Sequence, residues 1–277
     1  MAERIKIGNV EIIAIQDCSA QAPWSVMFPQ QTQEQWDPYA EYLTPDKKQL
    51  TLSISSFVVR SGGKTILIDT GIGNKSRPFF PDGRLPDALR DEGIKPEEID
   101  IVACTHMHVD HVGWHTTKTA AGEFVATFPN SKLVFVEAEW NFFTEPEFAK
   151  DQPHIQDSIL PLKDTADIQL VDGEHRLTDD ITLVPVPGHT PAHSAFAIIS
   201  AGEAGVIWGD LCHHPAQVTE LWSPVFDMNP VLSRESREKL LQRIEDERMQ
   251  VIAGHFPFPG FGRVVRVDGK RTWRAGK

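Results

Sequence analysis

The chain has 277 residues, 40% of them hydrophobic and 24% charged, which is the balance of a water-soluble globular protein and fits one large domain over residues 1–277. Its 39 acidic residues against 27 Lys and Arg give a formal net charge of −12. That excess disfavours nucleic-acid phosphate and anionic membrane surface as partners, because both call for basic surface. Cys18, Cys104 and Cys212 are too few and too scattered for a disulfide framework. With no apolar signal core near Met1 and no stretch long enough to span a bilayer, the expected location is cytoplasmic.

Taken in chain order, the first elements are strands. Ile5 and Ile7 alternate, and Val10, Ile12 and Ile13 resume after a Gly8-Asn9 turn. About residues 20–50 form an excursion with Pro23, Pro29, Pro38 and Pro45 among Trp24, Phe28, Trp36, Tyr39 and Tyr42. Proline at that density breaks regular structure, and the aromatics need a surface to pack on. Three placements are open: folded on its own core, overhanging a functional site, or forming a homodimer contact. Leu52–Val59 and Thr65–Ile68 read as a hairpin around Ser61-Gly62-Gly63. A helix over Leu85–Gly93, one turn at Pro96–Ile99 and a strand at Ile101–Cys104 follow, with Cys104 a buried small hydrophobe. Leu133–Val136 is a strand and Glu137–Lys150 a helix. A second proline- and aromatic-containing segment runs from His213 to Asn229. Asn229 caps a helix that Pro230 opens and that continues to about Met249, with Leu240, Leu241, Ile244 and Arg248 on one stripe and Glu245, Asp246 and Glu247 on a solvated face.

Chemistry concentrates in His106-Met107-His108-Val109-Asp110-His111. Residues two apart in an extended segment point the same way, so His106 and His108 can share a metal. A turn after His108 lets Asp110 and His111 aim at a second metal nearby. Imidazoles with a carboxylate suit zinc, with iron, manganese or cobalt as weaker options. Four other apolar runs lead to polar side chains: Thr65–Ile68 to Asp69, Ile181–Val186 to His189 and His193, Val206–Trp208 to Asp210, and Val251–Ala253 to His255. Strand ends are where a rigid sheet exposes functional groups.

These five motifs, in this order from about Thr51 to His255, resemble the metallo-β-lactamase superfamily. The resemblance implies an α+β fold, a four-layer αββα sandwich with the metals at one edge; periodicity alone gives only an α/β or α+β domain. It implies that His106, His108 and His189 hold one Zn2+, that Asp110, His111 and His255 hold a second, and that Asp210 bridges them. Two such ions lower the pKa of a bridging water from about 15.7 towards 7 and polarise the substrate carbonyl. Asp110 is also expected to act catalytically, passing the hydroxide's proton to the leaving group. Asp69 is expected to accept the second N–H of a metal-bound imidazole. His193 either helps Asp210 or is a satisfied buried histidine, and His115 is expected to face solvent. Cys212 is not counted among the ligands. Ala192 stands where the family often has glycine.

The function expected is hydrolysis of a small apolar lactone or related carboxylic ester by a dinuclear zinc enzyme. The acidic surface disfavours the nucleases of the family, His108 disfavours its flavo-diiron oxidoreductases, and the short tail after His255 disfavours glyoxalase II. The aromatic segments suggest an apolar substrate wall, and the layout is similar to the branch of methyl-parathion hydrolase and its lactonase relatives. An organophosphate or phosphodiester hydrolase, and a non-catalytic binding protein on the same fold, are the alternatives. One departure matters. The acyl-homoserine-lactone lactonases carry a tyrosine three residues beyond the bridging aspartate, where this chain has His213. His213 is expected either to hydrogen-bond the substrate carbonyl or leaving group, or to be an ordinary loop histidine. Its neighbour His214 is expected to point elsewhere.

Overall fold

Strand alternation here makes sheets that are apolar on both faces. In the strand Val10–Pro23, Ile12 and Ala14 point to one side and Ile13 and Ile15 to the other, and all four are buried. Such a sheet needs a cover on each side. The computed structural model, which describes residues 2–276, supplies both covers.

The first sheet has seven strands in the order Glu3–Ile7, Val10–Pro23, Gln49–Ser61, Lys64–Ile68, Ile101–Ala103, Lys132–Val136 and Asp167–Val171. The second also has seven, ordered His175–Arg176, Ile181–Pro185, Ser194–Ser200, Glu203–Ile207, Gln250–Ile252, Phe261–Val267 and Lys270–Ala275. Between them lies one apolar core, in which Ile12, Phe57, Ile66 and Val134 of the first sheet meet Leu183, Phe196, Ile207 and Ile252 of the second. Outside the first sheet pack Leu85 and Leu89 of the helix Leu85–Asp91, Trp140 and Phe143 of Glu137–Phe143, and Ile155 of Pro153–Ser158. Leu240, Leu241 and Ile244 of the helix Pro230–Asp246 cover the second. The fold is the αββα metallo-β-lactamase sandwich.

Topology assembles one chemical edge. Lys64–Ile68 pairs in parallel with Ile101–Ala103, placing Ile68 opposite Ala103. Glu203–Ile207 pairs in parallel with Gln250–Ile252, placing Ile207 opposite Ile252. Parallel strands end at the same edge, so the residues just beyond them (Asp69, His106, Asp210 and His255) collect there.

The Ser61-Gly62-Gly63-Lys64 turn forms as expected, with both glycines at positive φ (57° and 73°), the geometry that a two-residue hairpin turn demands. The helix expected over Glu137–Lys150 is two helices, Glu137–Phe143 and Pro146–Ala149. Pro146 cannot continue a helix from Glu145, which is extended at ψ 125°. The last long helix stops at Asp246, so Arg248, at φ 51°, is not on its stripe. Nor is Glu245 merely solvated: it accepts from Arg271 Nε at 2.6 Å and Arg266 Nη2 at 3.1 Å.

Candidate metal centre

Seven side chains converge at the shared edge, and Asp210 is at their middle. Its Oδ2 lies 3.6 Å from His106 Nε2 and 3.2 Å from His189 Nε2. Its Oδ1 lies 3.1 Å from His111 Nε2 and 3.0 Å from His255 Nε2. His108 Nδ1 completes the first group, 3.1 Å from His106 Nε2 and 3.0 Å from His189 Nε2. Asp110 completes the second, its oxygens 3.8 Å from His111 Nε2 and 3.6 Å from His255 Nε2. Within each of the sets His106/His108/His189/Asp210 and Asp110/His111/His255, the donor atoms lie within 4.8 Å of one another.

The backs of these rings are held. His111 Nδ1 donates to Asp69 Oδ2 at 2.9 Å, and His255 Nδ1 to the Ser53 carbonyl at 2.9 Å. His106 Nδ1 is 3.0 Å from Thr105 Oγ1, which itself donates to Asp69, and His189 Nδ1 is 3.0 Å from Asp227 Oδ1. Fixing Nδ1 in this way leaves Nε2 as the lone pair facing the cluster. Asp69 accepts an imidazole N–H, as expected, from His111. Asp227, Thr105 and Ser53 went unnoticed in the sequence. So did Glu139, a buried carboxylate that accepts from Met107 N at 3.1 Å and Ala192 N at 3.0 Å and so ties two donor loops together.

The remaining histidines divide clearly. His193 Nε2 accepts from the Asp210 amide at 2.9 Å while Nδ1 donates to the Val186 carbonyl, so it is both buried and a support for Asp210, through its backbone rather than its carboxylate. His115 does not face solvent. It is buried, with its ring stacked on Phe135 and Nδ1 2.8 Å from Thr70 Oγ1, because the short helix Gly113–His115 turns it inward. His213 points into the cluster, Nε2 at 3.0 Å from Asp210 Oδ2 and its ring stacked on His255. The donor atoms of Asp210, His213 and His255 also fall within 4.8 Å of one another. His214 points away, among the rings of Trp36, Tyr39 and Tyr42. The buried Cys212 is outside the donor groups.

Those tyrosines and Trp36 belong to the excursion, which folds largely on an apolar cluster of its own. Met27, Phe28 and the fully buried Trp36 form a cluster with Leu50, Leu52, Ala216 and Trp222. The excursion therefore buttresses the segment that follows Asp210. Beyond Trp222 that segment exposes Val225, Phe226 and Met228, and the Phe226 ring centre is 6.1 Å from that of His213. A cavity of about 400 Å³ beside Asp17 and Arg84 has none of the donors in its lining, and Asp17 is spent on the amides of Ile72 and Leu85 and on Trp114 Nε1.

The charge pattern calls for cations. Burial, with His111 beside it, holds His106 well below the usual imidazole range, and burial with His189 does the same for His108. Both therefore offer lone pairs. Burial alone would lower His255, but the Asp210 carboxylate outweighs it and raises His255 to about 9. Asp210 is held well below the usual carboxylate range: burial pushes it up, and the imidazoles of His111, His255 and His213 more than offset that. Five imidazoles and two carboxylates crowd their donor atoms to 3.0–3.8 Å, and the buried His111 Nε2 and Asp210 Oδ1, though 3.1 Å apart, make no well-aligned hydrogen bond, an arrangement that is costly unless a cation sits among them. The donor set fits divalent metal.

A His/Asp cluster of this kind at the edge of an αββα sandwich marks a metal-dependent hydrolase. The chain belongs to the metallo-beta-lactamase superfamily, whose family model matches residues 51–255 and so spans every donor named above. Among curated relatives, an N-acyl homoserine lactonase of Bacillus thuringiensis is 20% identical over 230 residues, covering 77% of this chain and 84% of that one. The N-acyl homoserine lactonase AttM of Azorhizobium caulinodans is 28% identical over 186 residues, 61% of this chain and 63% of that one. Among solved structures, the hydrolase AbOPH in the beta lactamase superfamily superposes with a TM-score of 0.84 at 25% identity, covering 98% of this chain and 96% of that one. AidC, a dizinc quorum-quenching lactonase, superposes at 0.82 with 21% identity, covering 100% and 97%.

Proposed function

We propose that this protein hydrolyses a lactone or related carboxylic ester with two Zn2+ ions. The observation that carries the reading is the division of Asp210, each of whose oxygens faces a different group of imidazoles. His106, His108 and His189 would hold one ion, Asp110, His111 and His255 the other, and Asp210 both. When bound, such ions lower the pKa of water towards neutrality and polarise a carbonyl.

The chain's own residues do the rest. Asp110 is the most exposed of the cluster's carboxylates, at 13% of its side chain against 4% for Asp210 and Asp69, so it is the one that can take a proton from water and hand it to a leaving alkoxide. Burial lowers the His213 pKa against the pull of Asp210; its Nε2 faces Asp210 Oδ2 at 3.0 Å, and with that carboxylate turned to metal its N–H would be free for the carbonyl or the leaving oxygen. Val225, Phe226 and Met228 offer an apolar surface beside it, in keeping with an apolar substrate arm and with the lactonase relatives.

Both sheets supply donors to one cluster, so residues 1–277 are read as one catalytic domain. A cytoplasmic location is part of the same reading. Its support is three free cysteines, two of them buried, and no helix among the described residues long and apolar enough to cross a membrane.

The test is a turnover screen of the zinc-loaded protein over lactones, aryl esters, phosphotriesters and β-lactams, with elemental analysis of the same sample. Lactones or esters turning over fastest, at about two zinc per chain, is the expected result. Faster turnover of phosphotriesters would overturn the substrate class, and full activity without metal would overturn the whole reading.

A further inference from the structure

Asp227 is buried, and the helix behind it carries a fully buried arginine. Its Oδ1 takes the Nδ1 proton of His189 at 3.0 Å, and its Oδ2 takes Arg237 Nη2 at 3.2 Å. Arg237 also donates to Ser233 Oγ at 3.0 Å and, through Nε, to the Leu211 carbonyl at 2.6 Å, one residue past Asp210. One guanidinium thus braces the backs of two cluster residues. The same short loop is tied to the His189 loop through its backbone, since Met228 N donates to the His189 carbonyl at 3.1 Å and Asn229 N to the Gly188 carbonyl at 2.8 Å. The approach is close: a Cβ on Gly188, which sits at φ 128°, would lie 2.1 Å from Ser233 N. On its outer side this loop exposes Val225, Phe226 and Met228 beside His213.

We propose that the loop 224–229 and the His189 side of the metal centre are one mechanical unit, in which Asp227, backed by Arg237, is a positioning residue for His189, so that metal binding orders the apolar wall of the site. The proposal rests on the reading of His189 as a metal ligand. A buried carboxylate facing an imidazole N–H fixes the ring and raises its basicity as a ligand. A cation on Nε2 would strengthen the hydrogen bond from His189 Nδ1–H to Asp227 Oδ1, and through Asp227 it would tighten a loop already tied to the His189 backbone. The two metal sites then differ in kind. His111 is held by Asp69 from within the sheet edge, whereas His189 is held by a loop that also faces the substrate.

The experiment follows metal and loop separately. Chelator competition on zinc-loaded protein counts ions lost, and hydrogen exchange is read over residues 224–229 with zinc and after stripping. In the wild type, zinc should slow exchange in this loop. Asp227→Asn removes the anion and keeps the shape, and should weaken one of the two ions by about 10–100-fold, leave the other in place and abolish the zinc dependence of loop exchange. Because this variant leaves Arg237 buried without its partner, Asp227→Asn with Arg237→Met is the companion; replacing both members of a buried pair is often tolerated. It should show the same loss. Loop exchange in the wild type that ignores zinc overturns the proposal, as does a folded double variant that keeps both ions at wild-type affinity. His189→Ala separates this from the site reading: if that variant also keeps both ions tightly, the ligand assignment itself has failed.

Discussion

At the residue scale, Asp210 contributes charge more than shape. Its carboxylate faces both sets of imidazoles, so Asp210→Asn should keep the fold in zinc-replete buffer while losing one or both ions and most turnover. Elemental analysis beside a rate assay checks this; wild-type turnover at full occupancy would mean the centre works without it. His213→Ala should lower lactone turnover by about 10²–10³ if its N–H meets a developing oxyanion, with zinc content unchanged. Zinc lost in that variant would instead make His213 a ligand, a role that its donor position beside Asp210 and His255 also permits. His214, though it points away, is a poor control, because it is packed against Trp36 and Tyr42 and its Nδ1 accepts from Ala216 N. The seven converging donors were legible in the sequence because each lies in a dense motif or just past an apolar run. Asp227 and Arg237 were not: one lies in an irregular segment and the other in a helix that reads as amphipathic, and only tertiary packing brings them behind His189.

At the element scale, Glu139 carries the join between two loops. It sits in the first turn of Glu137–Phe143, where an acidic residue reads as ordinary helix-end chemistry, so nothing in its local sequence marks its role. Glu139→Ala would leave the amides of Met107 and Ala192 without their acceptor, at about 1–3 kcal/mol each, and should lower the urea midpoint clearly. Glu139→Gln keeps an oxygen for one of them and should cost less; equal midpoints for the two variants would show that the carboxylate's contacts are incidental. The strands and the glycine hairpin are legible from alternation and turn chemistry, whereas the expected helix over Glu137–Lys150 runs across Pro146, which in the structure opens a second helix. The excursion's placement was not legible at all. Trp36 and Trp222 lie far apart in the chain and become neighbours, ring centres 5.0 Å apart, only once the sheets have formed.

At the scale of the whole molecule, the fold could be anticipated from the order of motifs, but periodicity could not show how much polar machinery it buries. Several of the buried histidines lie outside the proposed ligand set, and they contribute to how stability responds to acid. Burial lowers His115 to about 3 and His214 to about 3, against an ordinary value near 6.5. In this window the unfolded chain binds a proton at each position and the folded chain does not, so stability is fully present above about pH 6.5 and declines as pH falls towards 3. Each such group contributes a slope of about 1.4 kcal/mol per pH unit. Urea unfolding at several pH values between 4 and 6.5 should therefore give a free energy to which each of these two groups contributes a fall as pH drops. His214→Phe retains an aromatic ring among Trp36, Tyr39 and Tyr42 but cannot titrate. It should lower stability at neutral pH, since Ala216 N loses its acceptor, yet flatten the acid slope by about the amount of one group. His115→Phe, stacked on Phe135, should flatten it similarly. The slopes decide the matter, because a packing defect shifts stability equally at every pH. Variants that run parallel to the wild type across the acid range would show that these rings are protonated in the folded protein and that their burial does not govern its acid sensitivity.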